Sequence, residues 1–249
     1  MSIHYGPPPA SRDPRDPGRG DAPLGAEGLP NREPTRLGSF DPGTAPDVLA
    51  GGAPPAGRSA RFFGERGTPS GFTARAFTKA MGFTQDDLAK PVIGIAQTWS
   101  EFNNCNAHFK QVAEAVKRGV WQEGGLPLEF PTISLGEVHV QPTTMLFRNL
   151  MAMDTEEMIR AQPMDAVVLL AACDKTTPAA LMGAASADVP AIMVSGGPML
   201  NGRHDGRELG ACTDCGRATA ELRAGTIDSV EYSAIEDAIC RSAGSCMVM

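Results

Sequence analysis

The residues best suited to chemistry in this chain are cysteines that stand beside charged or amide side chains. Cys173-Asp174-Lys175-Thr176-Thr177-Pro178 follows a continuous apolar run and precedes a helical pattern. In open α/β sheets ligands gather at the carboxyl ends of strands, and helix N-terminal amides there favour anions. A soft thiolate, a hard carboxylate and an amine are thus presented together. The plainer account is that Cys173 packs in the core, Asp174 caps the helix and Lys175 is solvated. Asn103-Asn104-Cys105-Asn106 has the same position after an earlier apolar run, and its plainer account is a polar turn with an incidental cysteine. Gly244-Ser245-Cys246 offers a cysteine whose glycine lets the backbone approach a ligand. Glu137, after Gly136, places a further carboxylate behind another strand candidate. Thiolates suit iron–sulfur clusters or zinc and carboxylates suit magnesium, so two unlike metal centres side by side are one reading of the set.

Other candidates carry less. Cys212 and Cys215 form a CxxC, the spacing of zinc sites and redox pairs. Zinc needs two more ligands, and His204 and Cys240 are the nearby choices, so packing is the preferred account of the pair. His108 and His139 are possible acid–base groups, although a lone histidine is more often structural.

Strands and helices must position these residues. Phe72 to Met81 reads as a short helix and Pro91 to Ala96 as an apolar strand. Asn106 to Glu123 carries Phe109, Val112, Val116 and Val120 at helical spacing and stops at Gly124-Gly125. Leu128 to Leu135 reads as a second strand. Pro142 to Arg160 reads as a helix with Met145, Leu146, Leu150, Met153 and Met158 available for its buried face. Asp165 to Ala172 is a fully buried strand by its unbroken apolar run. Pro178 to Ala187 is a helix with proline in its first turn, and Pro190 to Ser195 is a further strand. This alternation predicts an α/β fold, a mostly parallel sheet flanked by helices.

The bulk numbers bound the rest. The chain has 249 residues, 42% hydrophobic and 20% charged, an ordinary globular balance with room for a sizeable core. A net charge of −7 gives no reason to expect nucleic-acid or membrane binding. The longest apolar run, Ala166 to Cys173, is too short to span a bilayer, and no secretory signal pattern opens the chain. A cytoplasmic location is expected, where six cysteines are thiols, metal ligands or catalytic groups rather than disulfides. Residues 1–58, rich in Pro, Gly, Arg and Asp without an apolar period, are expected to form a disordered tail. Residues 59–249 are expected to form one α/β cluster- and metal-binding domain. The apolar end after Gly244-Ser245-Cys246, with no closing element, suggests a fragment or an early stop.

The longer text then resembles a known family. PVIGIAQTWSEFNNCNAHF, VKRGVWQEGG, RNLMAMDTEEMIRAQPMDAVVLLAACDKTTPAALMGAAS, VSGGPMLNG and SAGSCMVM are similar to the dihydroxy-acid and 6-phosphogluconate dehydratases. The likeness covers about residues 60 to 249, and NNCN, CDK and GSC in that order are highly specific. It implies that Cys105, Cys173 and Cys246 hold an iron–sulfur cluster, [2Fe–2S] in preference to [4Fe–4S]. It implies that Glu137, Asp174 and Lys175 hold Mg²⁺, with Lys175 carbamylated so that it offers an anionic oxygen instead of a repelling ammonium. Three cysteines leave one iron open as a Lewis acid. The implied reaction removes water from a polyhydroxy acid, taking the C2 proton and the 3-hydroxyl, to give a 2-keto-3-deoxy acid. CDKTTP and FRNL look similar to the sugar-acid (aldonate) branch. The alternatives are a dihydroxy-acid dehydratase of branched-chain amino-acid biosynthesis and an inactive or purely cluster-binding fragment. Family members continue past GSC into a β-rich domain carrying the serine thought to be the base, and that domain is missing here. The resemblance also implies a homo-oligomer. Cys212, Cys215 and Cys240 lie outside its motifs.

Overall fold

A computed structural model describes residues 57–245, which fall within one compact unit. Residues 1–56 of the tail expected over 1–58, and Cys246, lie outside the described residues, while Arg58 at its end donates hydrogen bonds to Ile159 O and Arg160 O (3.2 Å each).

Four strands, β1 (Val92–Gln97), β2 (Leu126–Pro131), β3 (Ala166–Ala171) and β4 (Ala191–Ser195), form a parallel sheet in the order β2-β1-β3-β4. Ile95 of β1 lies between Glu129 of β2 and Val168 of β3, so the carboxyl ends of the two central strands are level. The crossovers are helical, as parallel pairing requires: α2 (Phe109–Gln122) joins β1 to β2, α3 (Arg148–Ala161) joins β2 to β3, and α4 (Thr176–Ala187) joins β3 to β4. β1 and β3 are almost wholly buried, which their unbroken apolar text predicts. One apolar layer packs Leu126, Met151, Ile159, Leu169 and Ala180 together. A second, holding Ile95, Phe109, Ala113 and Leu170, also contains Cys105 and Cys173.

The amino end of the body is tied to the sheet by one carboxylate. Asp165 accepts hydrogen bonds from Ser59 N (2.9 Å), Ser59 Oγ (2.7 Å) and Val92 N (2.8 Å). Helix α1 (Pro69–Ala80) starts earlier than its apolar spacing predicts, because Thr68 caps Gly71 N and Pro69 fits the first turn.

One expectation is reversed. The helix read over Pro142 to Arg160 is a short 3₁₀ turn, Thr144–Phe147, followed by α3. Its buried face is Met151, Ala152, Thr155 and Ile159; of the residues expected there, Met158 is half-buried against the core, whereas Met145, Leu146, Leu150 and Met153 are exposed. The cause is close packing against α4. A Cβ on Gly183 would stand 2.6 Å from Ala152 O and 2.7 Å from Thr155 Cβ, so the helices meet through small residues and the bulky stripe turns outward.

Beyond β4 the chain forms a hairpin, β5 (Gly202–His204) and β6 (Arg207–Leu209), then α5 (Ala211–Arg223) and α6 (Ser229–Ile239). These pack around Leu209, Ala218 and Ile235 as a separate small cluster.

Candidate functional site

Asn106 gathers the strand ends that carry the site. It is fully buried on the turn Asn104–Asn106. Its amide donates to Thr98 O (3.1 Å), Thr98 Oγ1 (3.0 Å) and Ser134 Oγ (3.1 Å), and its oxygen accepts from Ala172 N (3.2 Å). One side chain thereby stitches the ends of β1 and β3 to the loop after β2. Spacing alone showed a polar turn there; the signal was an asparagine between two apolar elements whose four hydrogen-bonding sites must be satisfied if it is buried.

Cys105 and Cys173 meet where these ends converge. Both are buried and both face a cavity of about 310 Å³ that Glu137, His139, Asn104 and Cys240 also line. The Cys105 thiol donates a hydrogen bond to Cys173, and this, with the backbone N–H groups of Asp174 and Glu137 and against the effect of burial, pulls the Cys173 thiol down to about 7. Cys173 also has φ +81, a region that L residues rarely adopt. Such strain, about 1–3 kcal/mol, persists where the surroundings hold it and is common at functional sites.

The hard ligands sit beside this soft pair. Thr176, the first residue of α4, is buried and holds the loop after β2: its hydroxyl donates to Leu135 O (2.9 Å) and accepts from Leu135 N (3.2 Å). Glu137 follows two residues later. Its Oε1 lies 3.0 Å from Lys175 Nζ and accepts a short hydrogen bond from the Thr144 hydroxyl. Asp174 Oδ2 lies 2.5 Å from the same Nζ. The Thr144 hydroxyl, then Lys175, hold the Glu137 carboxyl below its ordinary value; Asp174, then Glu137, raise the Lys175 ammonium. Asp174 Oδ1 is buried without a hydrogen-bond partner. Two carboxylates converging on one cation, one of them with an unsatisfied oxygen, form a donor set that suits a hard divalent ion. With such an ion in place the local pKa logic inverts and favours an uncharged or anionic Lys175.

The remaining candidates separate. His108 is not in the cavity: its Nε2 donates to Gly196 O (2.8 Å) and its ring stacks on Phe109 at 5.0 Å, which gives it a structural role. His139 does line the cavity, edge-on to Phe102. Of the residues considered for zinc around the CxxC, Cys215, His204 and Cys240 line three different cavities. His204 is instead 2.7 Å from Glu231 and pins the hairpin to α6.

Fold and site together define a class: a parallel α/β protein with neighbouring soft and hard donors at the carboxyl edge of its sheet. Residues 90–249 match the family described as Dihydroxy-acid/6-phosphogluconate dehydratase N-terminal, and the chain belongs to that family. It is 51% identical over 186 residues to the L-arabonate dehydratase of Azospirillum brasilense, covering 74% of this chain and 32% of that protein. It is 47% identical over 190 residues to the 6-deoxy-6-sulfo-D-gluconate dehydratase of Pseudomonas putida, covering 76% and 33%. Identity to the dihydroxy-acid dehydratase of Moorella thermoacetica is 41% over 180 residues, covering 70% and 32%. The chain thus spans about a third of the length of these relatives.

Proposed function

We propose that this chain provides the cluster- and metal-binding part of a hydro-lyase that converts a sugar acid (aldonate) into a 2-keto-3-deoxy acid. Cys105, Cys173 and Cys246 would hold the iron–sulfur cluster, and Glu137, Asp174 and Lys175 the Mg²⁺. Bound there, these groups supply Lewis acidity toward the substrate carboxylate and the departing hydroxyl. The observation that carries the reading is that the Cys105–Cys173 pair lines one cavity together with Glu137, whose carboxylate Lys175 joins to Asp174, the residue next to Cys173.

The chain's own groups prepare that site. Asn106 and Thr176 fix the strand ends, so the donors do not have to be ordered when a ligand binds. The Cys105 hydrogen bond favours the Cys173 thiolate, the form that ligates metal. The cavity, about 310 Å³, is of ligand size. A sugar acid is favoured over a 2,3-dihydroxy acid by the higher identity to the two sugar-acid dehydratases named above. A reducing cytoplasm suits the thiols. A homo-oligomer is supported by the outward apolar stripe of α3. Among the described residues no helix is long and apolar enough to cross a membrane.

The test is iron and acid-labile sulfide per chain after oxygen-free purification, followed by 2-keto acid formation from L-arabonate. Stoichiometric iron and sulfide are expected, abolished by Cys105→Ser, Cys173→Ser or Cys246→Ser and retained in Cys212→Ser. Equal loss in Cys212→Ser would sink the ligand assignment. Keto acid from a 2,3-dihydroxy acid but not from an aldonate would move the chain to the branched-chain reading.

A further inference from the structure

His204, Asp205 and Glu231 converge on a second cavity, of about 360 Å³, in the hairpin and helix region beyond β4. Separate elements bring them there. His204 ends β5 and pairs with Arg207 across the turn Asp205-Gly206, whose residues have φ of +46 and +76. Glu231 lies in the first turn of α6, fixed by Asp228, whose carboxylate accepts from Val230 N (2.9 Å) and Glu231 N (2.8 Å). His204 Nε2 stands 2.7 Å from Glu231 Oε1 and 3.9 Å from Asp205 Oδ2. One ligand atom from each of the three residues lies within 4.8 Å of the others. Two arginines line the same cavity, and both are directed elsewhere. Arg217 binds Asp214 (2.9 Å) and Glu221 (3.0 Å), and Arg207 acts on Asp214 by its charge.

An imidazole nitrogen with two carboxylate oxygens is a donor set that zinc takes, its remaining tetrahedral position left to water. The nitrogen sets the preference, because imidazole suits zinc and not magnesium. A tetrahedral ion about 2.0–2.2 Å from each donor holds the donors roughly 3.3–3.5 Å apart. That spacing falls between the 2.7 and 3.9 Å found here, so shifts on the order of 1 Å assemble the site. The elements to be joined pack on a small core, Leu209, Ala218 and Ile235, and a small core is where a metal clamp adds most. We propose that His204, Asp205 and Glu231 form a zinc site that clamps the β5–β6 turn to the start of α6. The proton on Nε2 that now bridges to Glu231 leaves for Nδ1 or solvent, and the freed lone pair faces the ion. The site is separate from the cysteine-lined cavity, with which it shares no lining residue.

The test adds zinc to the whole chain and follows the imidazole nitrogens by heteronuclear NMR of histidine-labelled protein. Zinc held by thiols elsewhere does not register in the His204 signal, which is the one that His204→Gln removes. Zinc is expected to move that signal to the position of a metal-bound nitrogen, and magnesium at the same concentration to leave it in place. Glu231→Gln and Asp205→Asn should each raise the zinc concentration needed by about tenfold or more. Circular dichroism of each variant reports folding. If a variant fails to fold, acylation of the unsubstituted chain by diethyl pyrocarbonate gives the answer. Zinc should slow modification of His204, read by peptide mass, and magnesium should not. A His204 signal that zinc does not move, or equal modification of His204 with and without zinc, overturns the proposal. An unchanged zinc dependence in folded Glu231→Gln and Asp205→Asn also overturns it, because the imidazole would then bind zinc alone.

Discussion

At the scale of single residues, the Cys105–Cys173 contact sets which thiol is ready to ligate. The hydrogen bond from Cys105 is the largest cause of the low Cys173 pKa, with burial acting against it. In Cys105→Ala that donor is gone and burial remains, so the Cys173 pKa should rise from about 7 toward or above the ordinary thiol value. Ultraviolet thiolate absorbance of the metal-free chain, titrated against pH and compared with Cys173→Ala, measures this directly. A Cys173 titration unchanged in Cys105→Ala would mean that the backbone N–H groups of Asp174 and Glu137 do the work alone. Lys175 has the opposite problem. Its two carboxylate neighbours stabilise the ammonium in the metal-free arrangement, so any modification of the amine must follow or accompany delivery of another cation to Glu137 and Asp174.

At the scale of elements, strand ends and helix contacts decide where those residues stand. Asn106→Ala removes four hydrogen-bonding interactions and leaves Ala172 N without its acceptor. A loss of about 2–4 kcal/mol in unfolding free energy is expected from net bonds of about 1 kcal/mol each plus an orphaned donor. Urea unfolding checks it; a loss below 1 kcal/mol would show that water replaces the amide. Gly183→Ala is the second case. The added methyl meets the Ala152 carbonyl and Thr155 of α3, so α3 and α4 must part, and overpacking of this kind costs about 1–3 kcal/mol despite the better helix propensity of alanine. A raised melting temperature would contradict the packing. These two positions also show what was legible beforehand. β1, β3 and α2 were legible because unbroken apolar runs and helical spacing report burial directly. The bonds of Asn106 and the turning of α3 were not, since both depend on partners distant in sequence. The hairpin was missed because strands of three residues carry almost no alternation.

At the scale of the whole molecule, the outward face of α3 is the surface on which the proposed homo-oligomer rests. Leu146, Leu150 and Met153 are 66%, 53% and 55% exposed, and Leu181 and Met182 of the adjoining α4 are 47% and 40% exposed. α4 contains no charged side chain, and a helix apolar all round is normally buried. Exposed apolar side chains on adjoining helices are what a proposed contact between copies would use. A second copy of the same face would cover it, because small residues such as Ala185 and Ser186 allow two such surfaces to approach and a two-fold contact needs only self-complementarity. Leu150→Glu places a carboxylate within that contact, where two copies would face each other without compensating cations. The chain should then sediment as a smaller species than the unsubstituted protein, with its circular dichroism unchanged because Leu150 makes no part of the α3 core face. Glu236→Gln, a change at an exposed position of α6 and away from the α3–α4 face, should leave the assembly as it was. If Leu150→Glu sediments as the unsubstituted chain does, the α3–α4 face is not where copies of this chain meet.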